Sequence, residues 1–358
     1  MAMQNFALTP GRINKFKGQI LAHAVPLEVL GRTGRQIKFP KNQSDTYVAR
    51  RWMPYGTTAT NSTTQNVFFA NGTGDRGNVV VQAHQVQEGV TPAPDSITPF
   101  DITVVMQQYS CLYGFTDKTY DLYEDDIPKA MIEQVGERVT LVNELILWGA
   151  LRACTNQFFG GTGTTILTVN GAITLGMVRK IAKSLQANHG KPVNKVLSAS
   201  GNYGTDAVAE GFTVYCHTDM EPDIRDLPNF VPAEKYASGK PMPHEIGKCE
   251  RFRFITSPDL PALQDAATSV TAATYNLNTT SGTNPDVYPF IVAAQDAWGQ
   301  VAVRGKEALS PTYLAPGEKS KSDPHGQRGY AGTIWWKAVM IENQGWMAVG
   351  FVGTRVLS

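Results

Sequence analysis

Asp125-Asp126-Ile127-Pro128-Lys129-Ala130-Met131-Ile132-Glu133-Gln134-Val135-Gly136-Glu137-Arg138-Val139-Thr140-Leu141-Val142-Asn143-Glu144-Leu145-Ile146-Leu147-Trp148 runs on to Ala153 and is the clearest helical signal in the chain. Asp125 and Asp126 are placed to cap it, and Pro128 suits a first turn, where its missing N–H has no partner to lose. Ile132, Val135, Val139, Val142 and Ile146 recur at three- and four-residue spacing, which stacks them on one face. A helix over 125–153 is about 40 Å long at about 1.5 Å per residue. Gly160-Gly161-Thr162-Gly163 then breaks the chain.

Upstream of this helix the pattern is extended. Ile37 and Phe39 alternate with Lys38, and Tyr47, Ala49 and Arg51 alternate with Val48, Arg50 and Trp52. A Thr-, Asn- and Gly-rich stretch over 57–78 holds the turn signals Asn71-Gly72 and Asp75-Arg76-Gly77, after which 79–81 and 102–106 resume strand character. Residues 36–116 therefore read as one long, polar, two-stranded excursion. Such a hairpin is marginal in water by itself, so it is expected to rest on another subunit.

Downstream, short helices and strands alternate. The periodicity predicts helices over 175–188, ending at His189-Gly190, and over 219–227. Strands are predicted at 195–198, 252–256, 288–293 and 300–303, with a Thr/Ser/Asn-rich loop at 268–285. The end reads as strands 333–341 and 346–356, joined by Glu342-Asn343-Gln344-Gly345. No internal repeat is visible.

At 358 residues the chain exceeds one ordinary compact domain and can bury a substantial core. Only 18% of residues are charged, below the roughly 25% of soluble domains, which favours a surface covered by partners. A net charge of +1 excludes a broad basic face that grips nucleic acid; DNA near this protein would be contained, not clamped. The basic residues gather at the start, where nine Lys or Arg precede residue 53 against Glu28 and Asp45. A basic, Gly- and Pro-punctuated arm of this kind stays mobile or lies on an acidic neighbour. No apolar run reaches the length of a membrane span and Met1 to Phe6 does not open a signal peptide, so the expected compartment is cytoplasmic.

No arrangement for catalysis emerges. The acids Asp117, Asp121, Glu124, Asp125 and Asp126 are explained by helix capping more simply than by a cation. Gly161-Thr162-Gly163 lacks the third glycine of a dinucleotide fingerprint, and Ser198-Ala199-Ser200-Gly201 lacks the flanking glycines of a nucleophile elbow. The six histidines are scattered. Cys111, Cys154, Cys216 and Cys249 show no metal spacing and read as buried free thiols. The expectation is a protein without catalytic residues, cofactor or metal.

Several ordered stretches resemble the major capsid protein family typified by coliphage N-four. Gly34-Arg35-Gln36-Ile37-Lys38-Phe39 is similar to that family's first E-loop strand. Glu88-Gly89-Val90-Thr91-Pro92, Gln108-Tyr109 and Thr116-Asp117-Lys118 resemble its return strand and the entry to its spine helix. Phe230-Val231-Pro232-Ala233-Glu234-Lys235-Tyr236-Ala237-Ser238-Gly239-Lys240, with Gly247, resembles its central signature. The strongest match is Ser322-Asp323-Pro324-His325-Gly326-Gln327-Arg328-Gly329-Tyr330-Ala331-Gly332, followed by Trp335-Trp336. The matches span nearly the whole chain and are weakest at 53–84 and 260–286.

The resemblance implies an α+β, HK97-like capsid fold. Its parts would be an N-terminal arm at 1–35, an extended E-loop at 36–116, and a P-domain at 117–175 with the spine helix at about 125–153. An A-domain at 176–330 and C-terminal strands at 331–358, returning to the P-domain/A-domain sheet, would complete it. The implied function is a virion shell: hexamers and pentamers of this chain, assembled in the bacterial cytoplasm into the icosahedral head of a tailed phage around double-stranded DNA. Implied partners are a separate scaffolding protein, a portal and a decoration protein; Met1 to Arg35 is too short to be a scaffold itself. Intersubunit contacts are expected from Arg12, Lys15, Lys17, Arg50, Arg51, Glu88, Glu124, Asp125 and Asp126, with the basic arm approaching the acids at 124–126. An encapsulin-like shell around protein cargo is the alternative within the same fold.

Overall fold

A computed structural model describes residues 25–32, 34–42, 44–52, 86, 88–91, 99–122, 127–197, 205–236, 241–303, 311–319 and 321–357. In chain order, the strands β1 (Arg35–Phe39), β2 (Thr46–Trp52), β3 (Pro99–Val105) and β4 (Gln107–Thr116) precede the helices α1 (Asp117–Leu122) and α2 (Ile127–Arg152). The strand β5 (Gln157–Phe159) and helix α3 (Leu175–Ala187) follow, then β6 (Val193–Leu197), β7 (Thr205–His217) and the short helix α4 (Glu221–Arg225). The chain ends with β8 (Phe230–Pro232), β9 (Glu245–Cys249), β10 (Phe252–Ser257), β11 (Tyr288–Ala293), β12 (Trp298–Val303), β13 (Thr312–Leu314), β14 (Arg328–Ile341) and β15 (Met347–Val352).

The long helix forms as its sequence predicts, with Pro128 in the first turn; the capping acids Asp125 and Asp126 lie outside the described residues. Its buried stripe is less straight than the spacing implies. Val135 and Val139 are buried against Cys111 and Trp335 of β4 and β14, whereas Leu147, Trp148 and Leu151 enter a second, larger core. The stripe drifts because two sheets are packed against the two halves of one helix. Helix α3 ends where predicted: His189 takes a left-handed φ of 56°, its N–H donates to Gln186 O, and Gly190 N–H donates to Leu185 O. This pair of bonds satisfies the last carbonyls of the helix as a Schellman motif does.

Among the described residues the strands form three sheets. The largest has eight strands in the order β5-β15-β11-β7-β10-β9-β8, with β6 also on β7. Every position of β10, β11 and β15 is buried, because one face is covered by α3 (Met177, Val178, Ile181, Leu185) and the other by the end of α2. The second sheet runs β1-β12-β14-β13, with β4 also on β14; β1 lies parallel to β12, and β4 pairs antiparallel with β14 from Gln107–Lys337 to Thr116–Arg328. The third is the hairpin β2–β3.

These pairings divide the chain differently from the sequence. The expected excursion over 36–116 is split: among its described residues, 46–52 and 99–105 pair as a hairpin, while 35–39 and 107–116 belong to the five-stranded sheet. Strands β12 and β13, placed by sequence in a unit ending at 330, lie in that same sheet, and β15 joins the eight-stranded one. The two C-terminal strands therefore go to different sheets, and the turn between them is a crossing point. Pairing partners roughly 200 residues apart carry no local signature, which is why hydrophobic alternation finds the strands and misplaces their neighbours. The expected strand at 79–81 lies outside the described residues.

The ordered motifs acquire roles in this frame. Gly34 packs on Trp298, where a Cβ would stand 2.3 Å from the indole. Gly247 does the same on the Phe230 ring at 2.4 Å, so a strand of the central signature can lie flat on its neighbour. In the stretch 322–332, Asp323 accepts the N–H of Arg328 at 3.0 Å, and Gln327 O accepts from Asp117 N–H. That turn starts β14 in register with β4.

Candidate assembly surfaces

The hairpin β2–β3 has two unlike faces, as alternation requires. Tyr47, Ala49, Ile102 and Val104 pack on Ile37, Phe39, Met106, Val301, Ala338 and Met340, so the hairpin rests in part on its own chain. The support expected from another subunit would therefore add to packing that the hairpin already has within its own chain. The opposite face presents Val48, Trp52 and Val105 to solvent, with Trp52 60% exposed. Between them, Arg50 donates to both carboxylate oxygens of Asp101 at 2.8 and 2.9 Å, directly across the ladder. The Arg50 guanidinium holds the Asp101 carboxyl below its usual range.

Arg51 points the other way. Its Nη1 donates to the carbonyl of Glu342 at 2.8 Å, while Arg35 reaches Glu342 Oε2 at 3.1 Å. Together with Asp296, Asn343 and Trp346 these residues line a cavity of about 570 Å3 at the hairpin root. The polar atoms Arg51 Nε and Nη2, Glu342 Oε1 and Asn343 Nδ2 are buried there without a partner. Burial lowers the Arg51 pKa and raises that of Glu342. Arg51 thus ties the hairpin to its own body.

The five-stranded sheet repeats the two-faced pattern. Tyr109, Cys111, Tyr113 and Trp335 face α2, and Trp335 Nε1 donates to Asn143 Oδ1 at 3.0 Å. Leu112, Ile334 and Leu314, on the other face, stay exposed, Ile334 by 63%. Of the remaining residues expected at interfaces, Glu88 is exposed beside Gly89, and Arg12, Lys15, Lys17, Glu124, Asp125 and Asp126 lie outside the described residues.

One buried site was missed by sequence reasoning. Segment 25–32 crosses the body on carboxylates: Leu27 N–H donates to Asp259 Oδ2 at 2.6 Å, and the N–H groups of Val29 and Leu30 both donate to Glu144 Oε1 at 3.1 Å. Gln300 Nε2 donates to Gly31 O at 3.0 Å. Glu144 is 1% exposed, and its second oxygen has no partner. Burial pushes its carboxyl up to about 7; the two N–H groups and Lys337 oppose the rise and Glu28 adds to it. The signal was available, since Glu144 lies three, four and seven residues before the buried Leu147, Trp148 and Leu151.

All four cysteines are free and buried, as their spacing predicted, and burial raises the Cys154 thiol to about 11. Arg253 and Glu245 form a fully buried pair at 2.6 Å, completed by Tyr236 Oη and Met242 N–H donating to the same carboxylate. Among the described residues no group of three His, Cys, Asp or Glu could hold a metal ion, and no helix is long and apolar enough to cross a membrane.

Solved structures with this architecture include the capsids and heads of several phages. The capsid of Ralstonia phage GP4 superposes with a TM-score of 0.63 at 8% identity, covering 100% of both chains. The head of Helicobacter pylori bacteriophage KHP40 gives 0.59 at 10% identity, over 97% of this chain and 96% of that one. The capsid of cyanophage P-SCSP1u gives 0.56 at 12% identity, over 96% and 93%. The fold is therefore the HK97-like, α+β fold of tailed-phage capsid subunits. In sequence, the chain is similar to the major capsid protein of Pseudomonas phage KPP21, 21% identical over an alignment of 263 residues that covers 68% of this chain. It spans 65% of the length of that relative. No family model matches the chain. The narrower likeness to the N-four type rests on the residue motifs alone.

Proposed function

We propose that this chain is a major capsid protein, which builds the icosahedral head of a tailed phage and encloses its double-stranded DNA. The observation that carries the proposal is the shared fold across nearly the full length of several phage shell subunits, joined by a relative named as a major capsid protein. On this reading the protein is structural and non-enzymatic and is located in the virion. It acts as hexamers and pentamers, helped by a separate scaffolding protein, a portal and a decoration protein.

The same reading assigns the named parts to elements of the chain. Hairpin β2–β3 is the base of the E-loop, α2 is the spine helix, the five-stranded sheet with α2 is the P-domain, and the eight-stranded sheet with α3 is the A-domain. Residues 1–35 act as the arm. The exposed faces holding Val48, Trp52 and Val105, and Leu112, Leu314 and Ile334, are where neighbouring copies meet. Arg50 and Glu88 lie at the rim, and Arg12, Lys15 and Lys17 face Glu124, Asp125 and Asp126 across subunits. One exposed ion pair is worth only about 0–1 kcal/mol, so such contacts hold by number and by the apolar burial beside them.

Electron microscopy of the protein co-expressed with its neighbouring genes tests this directly. Closed icosahedral shells containing DNA are expected. A small discrete oligomer would overturn the reading, and a shell filled with one cargo protein would move it to the encapsulin-like alternative, for which the relatives named above supply no support.

A further inference from the structure

We infer that Glu144 is a proton-sensitive clasp that fixes the end of the N-terminal segment to the long helix α2. The geometry carries this. One buried carboxylate oxygen accepts two successive backbone N–H groups, of Val29 and Leu30, from a segment more than 100 residues away in sequence. The other oxygen is buried and unpartnered, so the ionised form has only half of its acceptor capacity used. A buried charge left incompletely bonded is unfavourable, and adding a proton to the free oxygen relieves it while the first oxygen keeps both bonds.

The titratable groups facing the site come from three elements: Glu28 on the clasped segment, Lys337 on β14, and Asp259 after β10, which holds Leu27. Glu28 disfavours the ionised form and Lys337 favours it. The linkage has a definite sign. The closed clasp holds its proton up to about pH 7, whereas a solvated glutamate releases it near 4.5. The closed state is therefore most favoured below 4.5 and loses that advantage as pH rises toward 7. Acid tightens the segment on the helix, and neutral pH loosens it.

Hydrogen exchange on the full-length protein, corrected for the intrinsic pH dependence of amide exchange, reads the state of residues 25–32. Protection of the Val29 and Leu30 amides should fall about tenfold or more between pH 4.5 and 7 in the wild type. Glu144→Gln keeps the accepting oxygen and cannot ionise, so its protection should be flat with pH; Glu144→Ala should lose protection throughout. Asp259→Asn should keep the wild-type pH response. A flat wild-type profile, a Glu144→Gln profile as steep as the wild type's, or a response abolished by Asp259→Asn would each overturn the inference, and Glu144→Gln decides it even if the alanine variant does not fold.

Discussion

The eight-stranded sheet and the hairpin β2–β3 are finished in opposite ways. Strands β10, β11 and β15 are buried at all positions, roofed by α3 on one face and α2 on the other. The hairpin is half-covered on one side, by its own chain, and bare on the other. On the proposed function, the difference separates what the subunit completes alone from what it leaves for neighbours, and both are required because one sequence must fold reliably and still occupy several symmetry environments.

Substitutions can break this contrast at either end. The largest effect is expected inside the eight-stranded sheet: Arg253→Met strands the buried Glu245 carboxylate and should destabilise the subunit by about 3–5 kcal/mol in denaturant titration. Adding Glu245→Leu should return only part of that loss, since it removes the stranded charge but leaves the Tyr236 hydroxyl and the Met242 N–H without their acceptor. Ile291→Val, at a fully buried position of β11, should cost about 0.5–1.5 kcal/mol by the same measurement. On the exposed faces, Trp52→Ser and Ile334→Ser should change subunit stability by no more than about 0.5 kcal/mol. These two should nonetheless lower the yield of shells on sedimentation; an unchanged yield would show that the bare faces are not interfaces.

Local signals made some of this legible from sequence. The helix over 127–152, the stop at His189-Gly190, the positions of most strands and the buried thiols follow from periodicity, turn residues and Cys spacing. Partnership was not legible. That β4 lies on β14, that β12 joins β1, or that Arg51 turns inward to Glu342 depends on which distant strand arrives alongside. Glu144 was hidden for a related reason: an acid on a helix usually marks the solvent face, and only its alignment with Leu147, Trp148 and Leu151 contradicts that. Its partners, the backbone of Val29 and Leu30, carry no side-chain signature at all.

Hydrogen exchange compared between dissociated subunits and assembled shells tests the central contrast most directly. The account predicts that amides of 46–52 and 99–105 gain strong protection on assembly, while those of β10, β11 and β15 are already protected and change little. Equal protection of the hairpin in both states would contradict it.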